Sequence, residues 1–232
     1  MDEPPAPHPR RWQILGVLCL SLFVVVVDNT ILNVAIPSLL RDLDATTSDV
    51  QWVIDAYSLV FAGLLITAGS LGDRYGRRRA MLVGFALFGA GSLLAAFAES
   101  PAQLVAMRAL MGVGGAFLMP GTLSIMAQVF GPDERGKAFA IWGATSMVGL
   151  AAGPTLGGFL LEHFWWGSVF LVNVPVAVAA IAGLLVLVPE SRGVRRRPDV
   201  PGAVLSTAGM SHQGSPASCW CSLGRFPLTM NT

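Results

Sequence analysis

Three ionisable side chains stand inside long apolar stretches of this 232-residue chain: Asp28, Asp55 and Arg108. A charge at the centre of a bilayer costs about 2.5–3.5 kcal/mol or more, so each is a functional candidate by default. Asp28 heads the string Asp28-Asn29-Thr30-Ile31-Leu32-Asn33, which brings two amides close to the carboxylate. It falls roughly 22 Å along its stretch at about 1.5 Å per helical residue, near or slightly past the bilayer midplane. Loss of water penalises the charged form of a carboxylate, which suits such a group to taking up and releasing a proton. The competing reading is a hydrogen-bonding hub that holds one helix against its neighbour. Arg108 is a fixed cation that would favour the carboxylate if it lay near Asp28; otherwise its stem reaches out to the outer headgroups. Asp55, in Gln51-Trp52-Val53-Ile54-Asp55-Ala56-Tyr57, lies a turn or two inside its own stretch. It either meets a cationic substrate in a cavity shared with Asn29, Asn33 and Tyr57, or it caps the helix and stays hydrated beside interfacial aromatics.

These residues must be held by elements long enough to carry them through a membrane. Hydrophobic residues make up 53% of the chain and charged ones 12%, with a mean hydropathy of +0.63. Soluble domains carry about 25% charge, so the composition excludes an ordinary soluble protein. Six apolar segments reach the ~20 residues that a helix needs to span the hydrocarbon: 12–40, 50–71, 80–98, 101–130, 137–161 and 168–188. Open strand edges are not tolerated in lipid, so an all-α membrane bundle is expected. The first segment continues well past the length of a signal-peptide core and reads as a retained span. Cys19, Cys219 and Cys221 form neither a disulfide framework nor a zinc pattern.

Basic residues set the expected orientation. Arg10 and Arg11 precede the first segment; Arg74, Arg77, Arg78 and Arg79 lie between the second and third. Arg135 and Lys137 lie between the fourth and fifth, and Arg192, Arg195, Arg196 and Arg197 follow the sixth. Alternate connections therefore hold twelve of the 15 basic residues, which places the N-terminus on the cytoplasmic side of the plasma (inner) membrane. Following this rule, the basic residues leave no separate patch for nucleic acid.

Two strings carry backbone information. In Gly69-Ser70-Leu71-Gly72-Asp73-Arg74-Tyr75-Gly76-Arg77-Arg78-Arg79 a short charged loop joins two spans, and its Asp and Arg side chains can latch them together at the surface. In Gly149-Leu150-Ala151-Ala152-Gly153-Pro154-Thr155-Leu156-Gly157-Gly158, glycines four apart allow close helix approach and Pro154 removes a backbone hydrogen bond. Pro120-Gly121 suggests a local break in the fourth span.

Taken together, these strings resemble the major facilitator superfamily of secondary transporters. The Gly69–Arg79 loop resembles its signature between spans 2 and 3, with Gly69, Leu71, Asp73, Arg74, Gly76, Arg77 and Arg78 as the conformational latch. The string from Asp28 to Pro37 resembles the first-span signature of its drug:proton antiporters, and Arg108 to Ala116 the fourth-span motif. Gly149, Gly153, Pro154, Gly157 and Gly158 match the antiporter motif. Trp166 to Pro175 resembles the start of span 6 in the fourteen-span branch, departing from its Trp-Arg-Trp at Gly167 and Ser168. The resemblance implies proton-coupled efflux of small amphipathic or cationic compounds, with Asp28 and Arg108 in proton coupling. It implies no cofactor and no metal, the proton gradient being the driving force, and no enzymatic activity.

The family builds its transporters from two six-span bundles with the substrate between them. Here the expected organisation is a cytoplasmic segment 1–11, a six-span bundle 12–188, a basic loop 189–199 and the opening of a seventh span at 200–210. The polar stretch 211–232 departs from the apolar pattern and is expected to be disordered. A reading-frame shift near Met210 and a genuine short tail are the two explanations. The missing second half, or a second copy, is then an expected partner alongside the lipid bilayer, the substrate and protons. The alternative is a six-span fragment that transports nothing.

Overall fold

The computed structural model describes residues 9–190, and these are helical almost throughout. Helix α1 spans Arg11–Asp42, α2 Thr47–Tyr75, α3 Arg77–Ala96, α4 Pro101–Val129 and α5 Pro132–His163. The last crossing is divided into a short α6, Ser168–Leu171, and α7, Asn173–Leu187, with Val172 between them. Six helical stretches are long and apolar enough to cross a membrane, counting Ser168–Leu187 as one. The expected all-α bundle is thus present. Parts of the expected organisation at 1–8 and 191–232, the seventh-span opening, the polar tail, Cys219 and Cys221 among them, lie outside the described residues.

Local signals explain the helix starts. Thr46 caps α2 in a reciprocal box: its hydroxyl accepts from the Asp49 amide, and the Asp49 carboxylate accepts from the Thr46 amide. Ser100 caps α4 through the Gln103 amide, and Pro101 stands in the first turn, where its missing N–H costs nothing. Pro132 opens α5, with Asp133 and Glu134 in a first turn that favours negative charge.

Two expectations need correction. The charged stretch between spans 2 and 3 is not a loop: α2 runs to Tyr75, α3 begins at Arg77, and Gly76 alone connects them. Gly76 has φ +119°, a region that disfavours any side chain, so one glycine reverses the chain where several residues were expected. Nor does Pro120-Gly121 interrupt α4, which continues through it, as α5 continues through Pro154. Neighbouring helices in a membrane re-satisfy the backbone groups that such prolines free.

Packing is closest where glycines meet. Helix α4 lies between α2 and α3 and makes its most extensive contacts with them. A Cβ at Gly114 would come 2.6 Å from Gly84 O and 2.7 Å from Phe88 N of α3. Phe85, Phe88, Met81 and Met111 fill this seam with no exposure. Helix α1 packs mainly on α5, whose Gly149, Gly153 and Gly157 lie against Val26, Thr30 and Ile31 respectively. Pro154 is exposed, and added atoms at Gly158 would meet open space. The motif therefore divides into a packing stripe, Gly149, Gly153 and Gly157, and two residues that face away from α1.

Candidate functional site

Among the described residues, one ion pair lies in the bundle interior. Asp28, just past the middle of α1, and Arg108, in the second turn of α4, are both fully buried. The Arg108 Nη1 donates to Asp28 Oδ2 at 2.5 Å, and its Nε donates to the Val53 carbonyl of α2 at 3.3 Å. The guanidinium carbon lies 4.4 Å from the centre of the Tyr57 ring, a cation–π contact from the same helix as Val53. The other carboxylate oxygen, Asp28 Oδ1, accepts from Asn173 Nδ2 at 2.8 Å. That amide nitrogen also donates to Ser92 Oγ of α3 at 3.2 Å, and Ser92 Oγ in turn points at Met111 Sδ, 3.7 Å away. Helices α1, α4 and α7 thus meet at one carboxylate, with α2 joined to it through Arg108 and α3 through Asn173.

The electrostatics follow from burial. Desolvating two charges costs several kcal/mol per ion, and their attraction offsets this only when the remaining bonding sites are filled. Here both carboxylate oxygens have donors, and the guanidinium has a carboxylate, a carbonyl and a ring face. Around this pair, two buried polar atoms are without a well-formed hydrogen bond, Asn173 Oδ1 and the Tyr57 hydroxyl. Asn29 lies beside that hydroxyl.

The expected site residues separate into groups. Asp28 and Arg108 meet, so Arg108 does not reach for the headgroups. Tyr57 joins them. Asn29 and Asn33 bond back to their own helix, through Val25 O at 2.8 Å and Asn29 O at 3.3 Å. Asp55 is partly buried and forms no ion pair among the described residues. Ser92 and Asn173 join the pair without being among the expected site residues; Asn173 lies in the string from Trp166 to Pro175, and Ser92 is marked only by being polar among apolar neighbours. Among the described residues no group of three His, Cys, Asp or Glu side chains could hold a metal.

The arginine-rich end of the bundle is tied differently. Asp73 Oδ1 accepts from Arg77 Nε at 2.7 Å, and Arg77 Nη1 reaches the Ser124 carbonyl of α4 at 3.1 Å. Arg78 donates to the Leu185 carbonyl of α7 at 2.8 Å, and Arg79 pairs with Glu190 at 3.4 Å. Gly69 abuts Pro120 of α4, Gly72 is buried, Leu71 is partly buried, and Arg74 lies over the adjacent Tyr75 ring. Of the residues expected to form a latch, Asp73 and Arg77 link α2 to α3, and Arg77 and Arg78 reach α4 and α7. A further pair, Arg11 with Glu134 at 2.6 Å, joins the starts of α1 and α5.

Among the described residues, six membrane-capable helices around a buried ion pair define a multi-pass α-helical membrane protein. The chain belongs to the Major Facilitator Superfamily, whose family model matches residues 18–228. That match continues past Met210 into the polar stretch set apart above. The chain is 46% identical over 197 residues to the multidrug efflux pump LfrA of Mycolicibacterium smegmatis, covering 84% of this chain and 39% of the pump. It is 43% identical to the puromycin resistance protein pur8 of Streptomyces alboniger, covering 88% of this chain and 41% of the relative. It is 41% identical to the methyl viologen resistance protein SmvA of Salmonella typhimurium, covering 82% and 38%. The chain therefore spans about two fifths of the length of the curated relatives it matches. Its fold resembles a crystal structure of a double-Trp variant of XylE, with a TM-score of 0.71 at 15% identity, covering 80% of this chain and 46% of that one.

Proposed function

We propose that this chain forms one six-helix half of a proton-coupled exporter of small amphipathic or cationic compounds. The observation that carries the reading is the buried Asp28–Arg108 pair at the convergence of α1, α2, α3, α4 and α7. A carboxylate held by one cation changes the net charge of a dry interior by a full unit when it is protonated. Such a change can bias a bundle between two packings. Relatives that bear the words multidrug efflux, puromycin resistance and methyl viologen resistance support the substrate class. The basic residues support a cytoplasmic N-terminus and an inner-membrane location. Substrate would lie against Asn29, Asn33, Asp55 and Tyr57, with no cofactor beyond the proton gradient. Gly69, Leu71, Asp73, Arg74, Gly76, Arg77 and Arg78 would form the latch.

A second reading is a six-helix fragment that inserts and folds but transports nothing. It is favoured by the chain's reach over only two fifths of its relatives' length. Proton flux in reconstituted vesicles, driven by a cationic dye, separates the two. Dye-dependent flux lost in Asp28→Asn supports the exporter; no flux in either chain assigns the fragment, with transport requiring a second bundle.

A further inference from the structure

Arg108 can donate to Asp28 in either protonation state but can accept from it in neither. A guanidinium has donors and no acceptor, so it stabilises the carboxylate and offers nothing to a carboxylic acid O–H. Asn173 differs. Its amide has both a donor and an acceptor, and only the donor is used: Nδ2 bonds Asp28 Oδ1 at 2.8 Å and Ser92 Oγ at 3.2 Å. The acceptor, Oδ1, is buried beside them with no hydrogen bond. An orphaned buried acceptor is uncommon and calls for a reason.

We propose that Asn173 is the partner of Asp28 in both protonation states, and that its side-chain amide turns over when Asp28 takes up a proton. With Asp28 charged, Nδ2 faces Oδ1 of the carboxylate. One proton from water then adds to Asp28 Oδ1, Arg108 remains a guanidinium, and the pair goes from neutral to a net +1. The new O–H needs an acceptor. Rotation of the amide about its terminal bond presents Asn173 Oδ1 to that proton, and the Ser92 hydroxyl, which can donate as well as accept, turns with it. The titratable groups facing Asp28 are Arg108 from α4 and Tyr57 from α2. Helices α3 and α7 contribute the neutral Ser92 and Asn173, and no ion pair from α5 reaches it among the described residues. Asn173 is the first residue of α7, next to the Val172 break, so a change in its bonding acts where the last crossing is already divided.

The inference rests on the proposed proton site but can be read without transport. Infrared difference spectra of the whole 232-residue chain in lipid, neutral minus acid, report the carboxylic acid C=O band of Asp28, assigned by its loss in Asp28→Asn. In Asn173→Leu that band is expected at higher wavenumber, because the acid has lost its acceptor. A band at the wild-type position overturns the proposal, as does an acid difference spectrum that Asp28→Asn leaves unchanged. A second measurement needs no change at 173: with side-chain amide-labelled asparagine, wild type should show an amide shift on acidification that Asp28→Leu abolishes and that persists in Asn29→Gln. A silent amide also overturns the proposal. Absent dye flux with both bands behaving as expected would instead count against the exporter reading alone.

Discussion

Arginine meets a carboxylate at both the centre and the basic end of this molecule, and the two settings have opposite physics. Inside, Asp28 and Arg108 have side-chain exposures of 0% and 1%; at the end, Asp73 and Arg77 have 40% and 14%, and Arg79 and Glu190 have 68% and 30%. Water screens the outer pairs and replaces either partner at little cost, so such pairs are worth roughly 0–1 kcal/mol. The inner pair has no such substitute. Loss of one member strands a buried charge, at about 3–5 kcal/mol. The lesson is that the same two groups are costly to part where water is excluded and cheap to part where it is not.

The comparison is broken most severely by Asp28→Asn, which should lower stability by about 3–5 kcal/mol by leaving Arg108 unpaired. Thermal unfolding in detergent measures this. The double variant Asp28→Leu with Arg108→Leu should recover most of the loss, since neither charge then remains buried. If it melts as low as the single variant, pairing is not what the interior depends on. Next comes the packing that keeps the pair dry. Gly114→Val would drive a side chain into Gly84 O and Phe88 of α3, for a cost of about 1–3 kcal/mol. The same melting experiment, with accessibility of an interior cysteine probe, checks it.

The outer pairs sharpen the contrast from the other side. Asp73→Asn should cost under about 1 kcal/mol, because Arg77 keeps its bond to Ser124 O. That small loss should shrink further at 1 M salt, where the Debye length is about 3 Å, whereas the Asp28→Asn loss should not. Arg79→Gln should change stability by no more than about 0.5 kcal/mol. A larger loss from Arg79→Gln than from Asp73→Asn would mean that Glu190, and not Asp73, anchors this end.

Much of this arrangement was legible because membrane chemistry makes charge expensive. Asp28 and Arg108 stood out singly, but whether Arg108 lay near Asp28 or reached for the headgroups was open in the sequence, and the structure pairs them. The glycine spacing of 149, 153 and 157 announced a close contact but not its partner, which proved to be α1. Ser92 and Asn173 were harder. Asn173 meets Asp28 across 145 residues of chain and Ser92 meets Asn173 across 81, and spans that are apolar all round show no polar face from which to read the inner side. The reversal at Gly76 was misread for a different reason. Arginine and aspartate suggested a loop, yet both continue a helix well once it has left the hydrocarbon.

That single-residue reversal bears on how the protein is made. With only Gly76 between them, α2 and α3 have no connecting segment that could wait on one side of the bilayer while the other helix chooses. They must enter as a hairpin, with Arg74 and Arg77–Arg79 at its bend. The direction in which α2 crosses then fixes that of α3. Inserting a flexible segment after Gly76 should uncouple the two crossings, and chains of mixed orientation, scored by reporters fused behind α3, would reveal it.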